Sequence, residues 1–264
     1  MTTTRTEHSG AGGSSPGSTR RRLDQRLCEL GLCATRQQAR ALVLAGEVEV
    51  DGQLVRKAGA AVPAGARICL RRQMRYVSRG GLKLEHALAY FGVDVRGATA
   101  LDVGAATGGF TDCLLQAGAR AVCAVDVGYG QLAWKLRCDP RVVVLERTNA
   151  RYLDPAMLPF RPDLAVCDVS FISQTLLLPR LRDAVGLGGR WVITLVKPQF
   201  EVGRGRVGRG GVVRDAALRL EAVHRCAEAA TALGFTVVGY TPSPLLGPAG
   251  NQEFLLALRT GPIP

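Results

Sequence analysis

The sequence predicts an α/β protein in which a mostly parallel sheet with an antiparallel last strand follows a small α+β module. Three observations predict it. Beyond residue 79, short continuous apolar runs alternate with stretches of helical periodicity, the pattern of parallel strands buried on both faces by helices. The last two apolar runs, 235–240 and 254–258, have only a turn-rich connection between them, which suits an antiparallel hairpin at a sheet edge. Before residue 71 the order is different: two short helical segments come first and short alternating runs follow.

Taken in order, residues 1–20 contain no Leu, Ile, Val or aromatic residue and carry a Gly/Ser/Pro cluster from Gly10 to Gly17. With nothing to bury, they read as a disordered tail. Leu23, Leu27 and Leu30 recur at helical spacing and Gly31 can close that helix. Thr35 can cap a second helix running to Gly46, with Gln38 at the capping-box position. Val48 and Val50 alternate with acidic residues, and Asp51-Gly52 supplies a hairpin turn into Leu54 and Val55. A turn from Pro63 to Gly65 leads to a strand at 68–70. The expected organisation is therefore a tail over 1–20, a module over 21–70, a basic linker over 71–78 and a sheet domain over 79–264. That domain opens with a helix carrying Leu82, Leu84, Leu88 and Tyr90. Strands are predicted at 100–103, 121–127, 142–145, 164–169 and 191–196, with helices up to Ala117, around 132–136 and at 176–185, and a long helix at 216–233 before the final pair of strands.

The chain of 264 residues is 47% hydrophobic, a globular composition. No run of eighteen apolar residues occurs and the first twenty residues do not resemble a secretory leader, so a cytoplasmic protein without a membrane role is expected. Eight cysteines lack a Cys-x-x-Cys pair or a zinc-finger histidine spacing; they read as reduced, and no metal site is expected. The formal charge is +12 and the pI near 9.9, which points to a polyanion, either nucleic acid or an anionic membrane surface. Net +7 of it lies on the first 75 residues, which favours nucleic acid bound by the small module. The candidates are Arg22, Arg26, Arg36 and Arg40 on that module, Arg71 and Arg72 in the linker, and Arg204, Arg206 and Arg209 in a Gly-rich segment. Thirty of the cations are Arg and only Lys57, Lys83, Lys135 and Lys197 are Lys. An amine can be tuned into a base whereas a guanidinium cannot be deprotonated, so the sparse lysines are candidates for chemistry.

The first strand of the sheet domain ends in Asp102-Val103-Gly104-Ala105-Ala106-Thr107-Gly108-Gly109-Phe110 and opens into a helix. Ligands of open α/β sheets bind at the carboxyl ends of strands. The glycine spacing is not that of a dinucleotide fingerprint and no Lys-Ser or Lys-Thr follows. Asp126, at the end of the second strand, can accept hydrogen bonds from a ribose diol. Ribose recognition without a phosphate grip fits S-adenosylmethionine, with Asp102, Gly104, Thr107, Gly108, Gly109, Phe110, Asp126 and Asp168 as candidate contacts. A plain glycine turn beside a strand-end Asp is the competing reading. Asp168 and Lys197 follow strands and Glu253 precedes one, so they reach the same rim; Lys83 lies on the helix entering the domain. A Lys re-entering solvent and an Asp capping the next helix are the ordinary alternatives for such positions.

An ordered series of motifs covers nearly everything after residue 22: the module from Leu23 to about Leu70, Tyr76-Val77-Ser78-Arg79-Gly80-Gly81-Leu82-Lys83-Leu84, the Gly104 loop, Cys167-Asp168-Val169-Ser170-Phe171, Val196-Lys197-Pro198-Gln199-Phe200-Glu201, Gly210-Gly211-Val212-Val213-Arg214-Asp215 and Gly250-Asn251-Gln252-Glu253-Phe254. In these the sequence resembles the TlyA family of rRNA ribose methyltransferases, within the wider FtsJ/RrmJ-like group. The resemblance implies an S4-like RNA-binding domain, a Rossmann-like methyltransferase sheet, S-adenosylmethionine as cofactor, and 2′-O-methylation of cytidine in 16S or 23S rRNA, free or within ribosomal subunits. It also implies a catalytic tetrad of Lys83, Asp168, Lys197 and Glu253. Other readings are an RNA-binding protein with an idle methyltransferase fold, a membrane-active cytolysin, which is a label the family has carried, and a dinucleotide-dependent oxidoreductase.

Overall fold

The computed structural model describes residues 20–33, 35–70 and 75–261. The chain divides into two compact units, Met1–Gln73 and Met74–Pro264. In the first, β1 (Arg20–Arg22) leads into α1 (Leu23–Glu29), α2 (Arg36–Leu44), β2 (Val48–Val50), β3 (Gln53–Leu54), β4 (Ala61–Pro63) and β5 (Ile68–Leu70). Leu23 and Leu27, one turn apart on α1, and Ala39 and Val43, one turn apart on α2, are fully buried with Val48 against them. Thr35 caps α2 through its hydroxyl, which accepts from Gln38 N at 3.2 Å. Asp51 and Gly52 both have positive φ, the requirement of a two-residue hairpin turn between twisted strands. The expected tail reaches residue 20, and no strand is expected over Arg20–Arg22. Instead these three residues form β1, antiparallel to β4 with Arg20 opposite Pro63. Backbone pairing needs no apolar side chain, so a run of three arginines hides the strand. The remainder of the tail, residues 1–19, lies outside the described residues.

The second unit runs α3 (Gly80–Phe91), β6 (Thr99–Val103), α4 (Gly109–Gln116), β7 (Ala121–Val125), α5 (Trp134–Arg137), β8 (Val142–Leu145), β9 (Leu164–Cys167), α6 (Leu178–Val185), β10 (Trp191–Val196), α7 (Pro198–Glu201), α8 (Ala216–Ala232), β11 (Phe235–Pro242) and β12 (Phe254–Thr260). Its seven-stranded sheet has the order β11-β12-β10-β9-β6-β7-β8. β12 is antiparallel to both of its neighbours, whereas β10, β9, β6, β7 and β8 pair in parallel. Side chains alternate across the sheet: Ile193 and Leu195 join one apolar layer with Leu84 and Leu114, while Val192 and Val196 join the other with Leu181 and Val223. Both faces are thus closed, and the rim at the carboxyl ends of the strands is where ligands can enter. The expected linker over 71–78 includes residues that belong to the sheet unit. Residues 71–74 lie outside the described residues, but Tyr76 is buried in the core of the sheet unit and Val77 N donates to Asp112 Oδ2 at 2.8 Å.

Candidate active site

Strand order reverses between β6 and β9, so the connections leaving those two strands part to opposite sides and open a crevice. The Gly104 loop leaves β6 there, and Asp168 leaves β9. Gly104 has φ +83°, and a Cβ on it would lie 2.6 Å from the Asp168 carbonyl oxygen, so only glycine allows the two strand ends to approach. Gly109 is bare for a similar reason, since a Cβ would fall 2.2 Å from Ser78 Oγ. That contact lets the amino-terminal ends of α3 and α4 meet.

A cleft of about 530 Å³ is lined by Gly104, Asp126, Thr148, Asn149, Asp168 and Ile172, among others. An adjoining cavity of about 180 Å³ shares Gly104, Asp168 and Ser170 and adds Ser78, Thr107, Gly109, Phe110 and Lys197. Asp126 accepts from Ala106 N at 2.8 Å through Oδ2 and from Gly128 N at 2.6 Å through Oδ1. Each carboxylate oxygen keeps a further lone pair, so the loop fixes the carboxylate without exhausting it.

Two residues expected at the cofactor line neither cavity. Gly108 packs under the loop, where a Cβ would meet the Leu136 side chain at 2.3 Å. Asp102 is fully buried and accepts from Thr111 Oγ1 at 2.6 Å. Its position inside β6 rather than after it turns the side chain into the layer beneath α4. Burial pushes its carboxyl up to about 7, against the hydrogen bond from Thr111. A carboxyl raised in this way makes the fold more stable when protonated; the contribution is complete below about pH 4, the unfolded value, and is lost as pH rises through about 7. The expected result is that wild-type Tm falls relative to that of Asp102→Asn between pH 4 and pH 8. Parallel Tm curves for the two proteins would refute it.

The four proposed catalytic residues form two ion pairs. Lys197, immediately after β10 and only 8% exposed, places Nζ 2.6 Å from Asp168 Oδ1 and donates to Ser170 Oγ at 2.9 Å. Lys83 on α3, 7% exposed, donates to the buried Glu253 through Oε2 at 2.5 Å. The first pair lines the smaller cavity; the second lines neither cavity, although Lys83 is one turn beyond Gly80, which does. Glu201, buried at the end of α7, accepts from Ser173 Oγ at 2.6 Å and Gln174 N at 2.8 Å. It ties the segment after Asp168 to the one that begins at Lys197.

Ser78, Ser170, Asn149 and Phe171 line this region without having been singled out. The first two are small polar residues in motifs quoted for their neighbours. Asn149 follows β8, and the strand-end rule that found Asp126 reaches it too. Phe171 is 90% exposed with φ +67°, a strained conformation for an aromatic residue, and its ring lies 5.2 Å from that of Phe200. No periodicity marks such a residue.

Among the candidate RNA-binding arginines, Arg26 bonds to Glu29 Oε2 and the Ala64 carbonyl, while Arg22, Arg36 and Arg40 gather around Asp24. Arg206 is paired with Glu221 on α8, and Arg209 is exposed. Arg71, Arg72 and the Arg204 side chain lie outside the described residues. Among the described residues no group of three His, Cys, Asp or Glu side chains is arranged to hold a metal.

Residues 76–260 match the sequence family described as FtsJ-like methyltransferase. The chain belongs to this family. Residues 21–68 match the S4 domain. Similar to this FtsJ-like chain is the 16S/23S rRNA (cytidine-2'-O)-methyltransferase TlyA of Mycobacterium tuberculosis, 51% identical over 245 residues, which are 91% of this chain and 90% of that one. Hemolysin A of Brachyspira hyodysenteriae is 42% identical over 235 residues, 89% of this chain and 98% of that one. A solved structure titled as a hemolysin of Streptococcus thermophilus superposes with a TM-score of 0.71 at 43% identity, covering 94% of this chain and 91% of that chain. No helix among the described residues is long and apolar enough to cross a membrane. FtsJ-like membership implies S-adenosylmethionine as methyl donor. The cleft suits it, with the Asp126 carboxylate available to a ribose diol and apolar Val127, Ile172 and Leu177 on the walls for a base.

Proposed function

We propose that this chain methylates the ribose 2′-hydroxyl of cytidine in ribosomal RNA, using S-adenosylmethionine, in the cytoplasm. The observation that carries the reading is a buried lysine, Lys197, held by Asp168 and Ser170 in a small cavity that adjoins a nucleoside-sized cleft. The 51% identity to an rRNA (cytidine-2'-O)-methyltransferase over most of both chains supports the substrate class. In this reading Asp126 and the Gly104 loop hold the donor in the larger cleft, and the ribose enters the smaller cavity.

S-adenosylmethionine supplies an electrophilic methyl group when bound. The ribose hydroxyl is a weak acid that must lose its proton as the new O–C bond forms, so the protein's work is alignment and charge management. Lys197 has three N–H donors; Asp168 and Ser170 take two contacts and leave the third direction for the 2′-oxygen. From there the amine either stabilises the developing oxyanion or, in its neutral form, takes the proton. Asp168 orients the amine, and Lys83 with Glu253 completes the proposed catalytic tetrad from α3, one turn beyond Gly80 at the cavity wall. Phe171 offers an exposed ring at the mouth, a flat partner for an unstacked base.

Incubating the purified chain with methyl-labelled S-adenosylmethionine and 16S rRNA, 23S rRNA or ribosomal subunits, followed by nucleoside mass spectrometry, tests the proposal. 2′-O-Methylcytidine is the expected product. Labelled RNA in which the methyl lies on a base would overturn it, as would no incorporation into any of the substrates.

A further inference from the structure

The first unit contains a charged cluster that methyl transfer does not explain. The Asp24 side chain is fully buried, yet three arginines close on it. Arg22 approaches as a fork, with Nε donating to Oδ1 and Nη2 to Oδ2, both at 3.0 Å. Arg36 Nη2 donates to Oδ2 at 3.1 Å, and Arg40 Nε lies 3.5 Å from the same oxygen. A buried carboxylate requires a cation, and Arg22 alone supplies one together with two hydrogen bonds. Its fork is the chief reason the Asp24 carboxyl lies far below the usual range.

Arg36 and Arg40 therefore exceed what neutralising Asp24 demands. They stand four residues apart on α2, a spacing at which like charges repel. The cluster as a whole carries two positive charges beyond its carboxylate. The three side chains remain 47%, 50% and 58% exposed, so their outer edges face solvent although their inner edges are fixed. Each guanidinium has five N–H donors and spends at most two on Asp24, which leaves donors for the oxygens of an anion. Arg26 differs: it bonds to Glu29 and to a backbone carbonyl, and its side chain is 18% exposed.

We propose that Asp24 is a positioning residue that presets Arg22, Arg36 and Arg40 as a single clamp for a phosphate of the RNA backbone. The inference rests on the reading of RNA as substrate. Long cationic side chains lose rotamer freedom when they bind; here the buried acid has fixed them before the RNA arrives. The acid that lowers the positive charge of the face thereby strengthens its grip.

That sign reversal is measurable with the full-length chain and in vitro transcribed 23S rRNA in filter binding over a series of salt concentrations. Asp24→Asn and Glu29→Gln each raise the net charge by one, and phosphate attraction alone predicts tighter binding for both. Positioning predicts that Asp24→Asn binds about tenfold more weakly, with a salt slope shallower by about one phosphate, while Glu29→Gln binds as wild type or tighter. Asp24→Asn binding as tightly as wild type, with circular dichroism showing it folded, overturns the proposal. Should Asp24→Asn not fold, Arg22→Lys decides: it keeps the charge and loses the fork, so weaker binding supports the clamp and unchanged binding overturns it. Wild type failing to bind rRNA at low salt defeats the RNA reading itself, and the clamp with it.

Discussion

Lys197→Arg is expected to lower single-turnover methyl transfer by about 10²- to 10⁴-fold, the range for removing a general acid–base group. The fold and the affinity for S-adenosylmethionine should stay near those of wild type. The substitution retains the charge at the end of β10 but not the chemistry. A guanidinium cannot give up a proton in a protein, and its planar fork cannot reproduce a single amine that meets Asp168 at 2.6 Å and Ser170 at 2.9 Å in a cavity of about 180 Å³. Binding of S-adenosylmethionine, followed by calorimetry, reports on the larger cleft, in which Lys197 takes no part. A loss of rate with intact binding places the defect at the reacting hydroxyl. Near-normal turnover by Lys197→Arg would show that only the positive charge matters and would remove proton abstraction from the mechanism.

That lysine was legible in the sequence because two independent signals met on it: the scarcity of Lys among thirty Arg residues and a place at the end of an apolar strand. The sheet was legible for a related reason. β6, β7, β9 and β10 are buried on both faces, so their sequences are dominated by apolar residues, with Asp102 in β6 and Thr194 in β10 as buried polar exceptions. What the sequence concealed depends on partners distant along the chain. Tyr76 reads as part of a basic linker until α3 and α4 close over it, and β1 exists because β4 pairs with its backbone. Asp102 looks like a loop residue beside glycines, yet the two-residue alternation within β6 directs it under α4 to Thr111. The positive φ of Phe171 is invisible because neither composition nor periodicity marks such a backbone conformation. The arginines of the small module were read as candidate RNA contacts; only the fold reveals that one buried aspartate gathers Arg22 of β1 with Arg36 and Arg40 of α2.

The largest stability effect is expected at Lys83 and Glu253, both buried and bonded to each other across 170 residues of sequence. Removing either partner, as in Lys83→Met or Glu253→Gln, leaves a buried group without its counterpart. The cost is about 3–5 kcal/mol when one member of a buried pair is lost. For a unit of this size, that corresponds to a Tm drop of about 6–20 °C. The double variant Lys83→Met/Glu253→Leu removes both charges and fills similar volume, so it should recover most of the Tm, because an apolar pair can replace a buried ion pair at little or no cost. Methyl transfer separates the two roles that the pair can have. If the pair only holds α3 against the start of β12, activity returns with stability. The proposed tetrad requires otherwise: the double variant should be folded, bind S-adenosylmethionine, and still transfer methyl at least about 10²-fold more slowly than wild type. Activity restored along with Tm would take Lys83 and Glu253 out of the catalytic set and leave Lys197 and Asp168 as its whole.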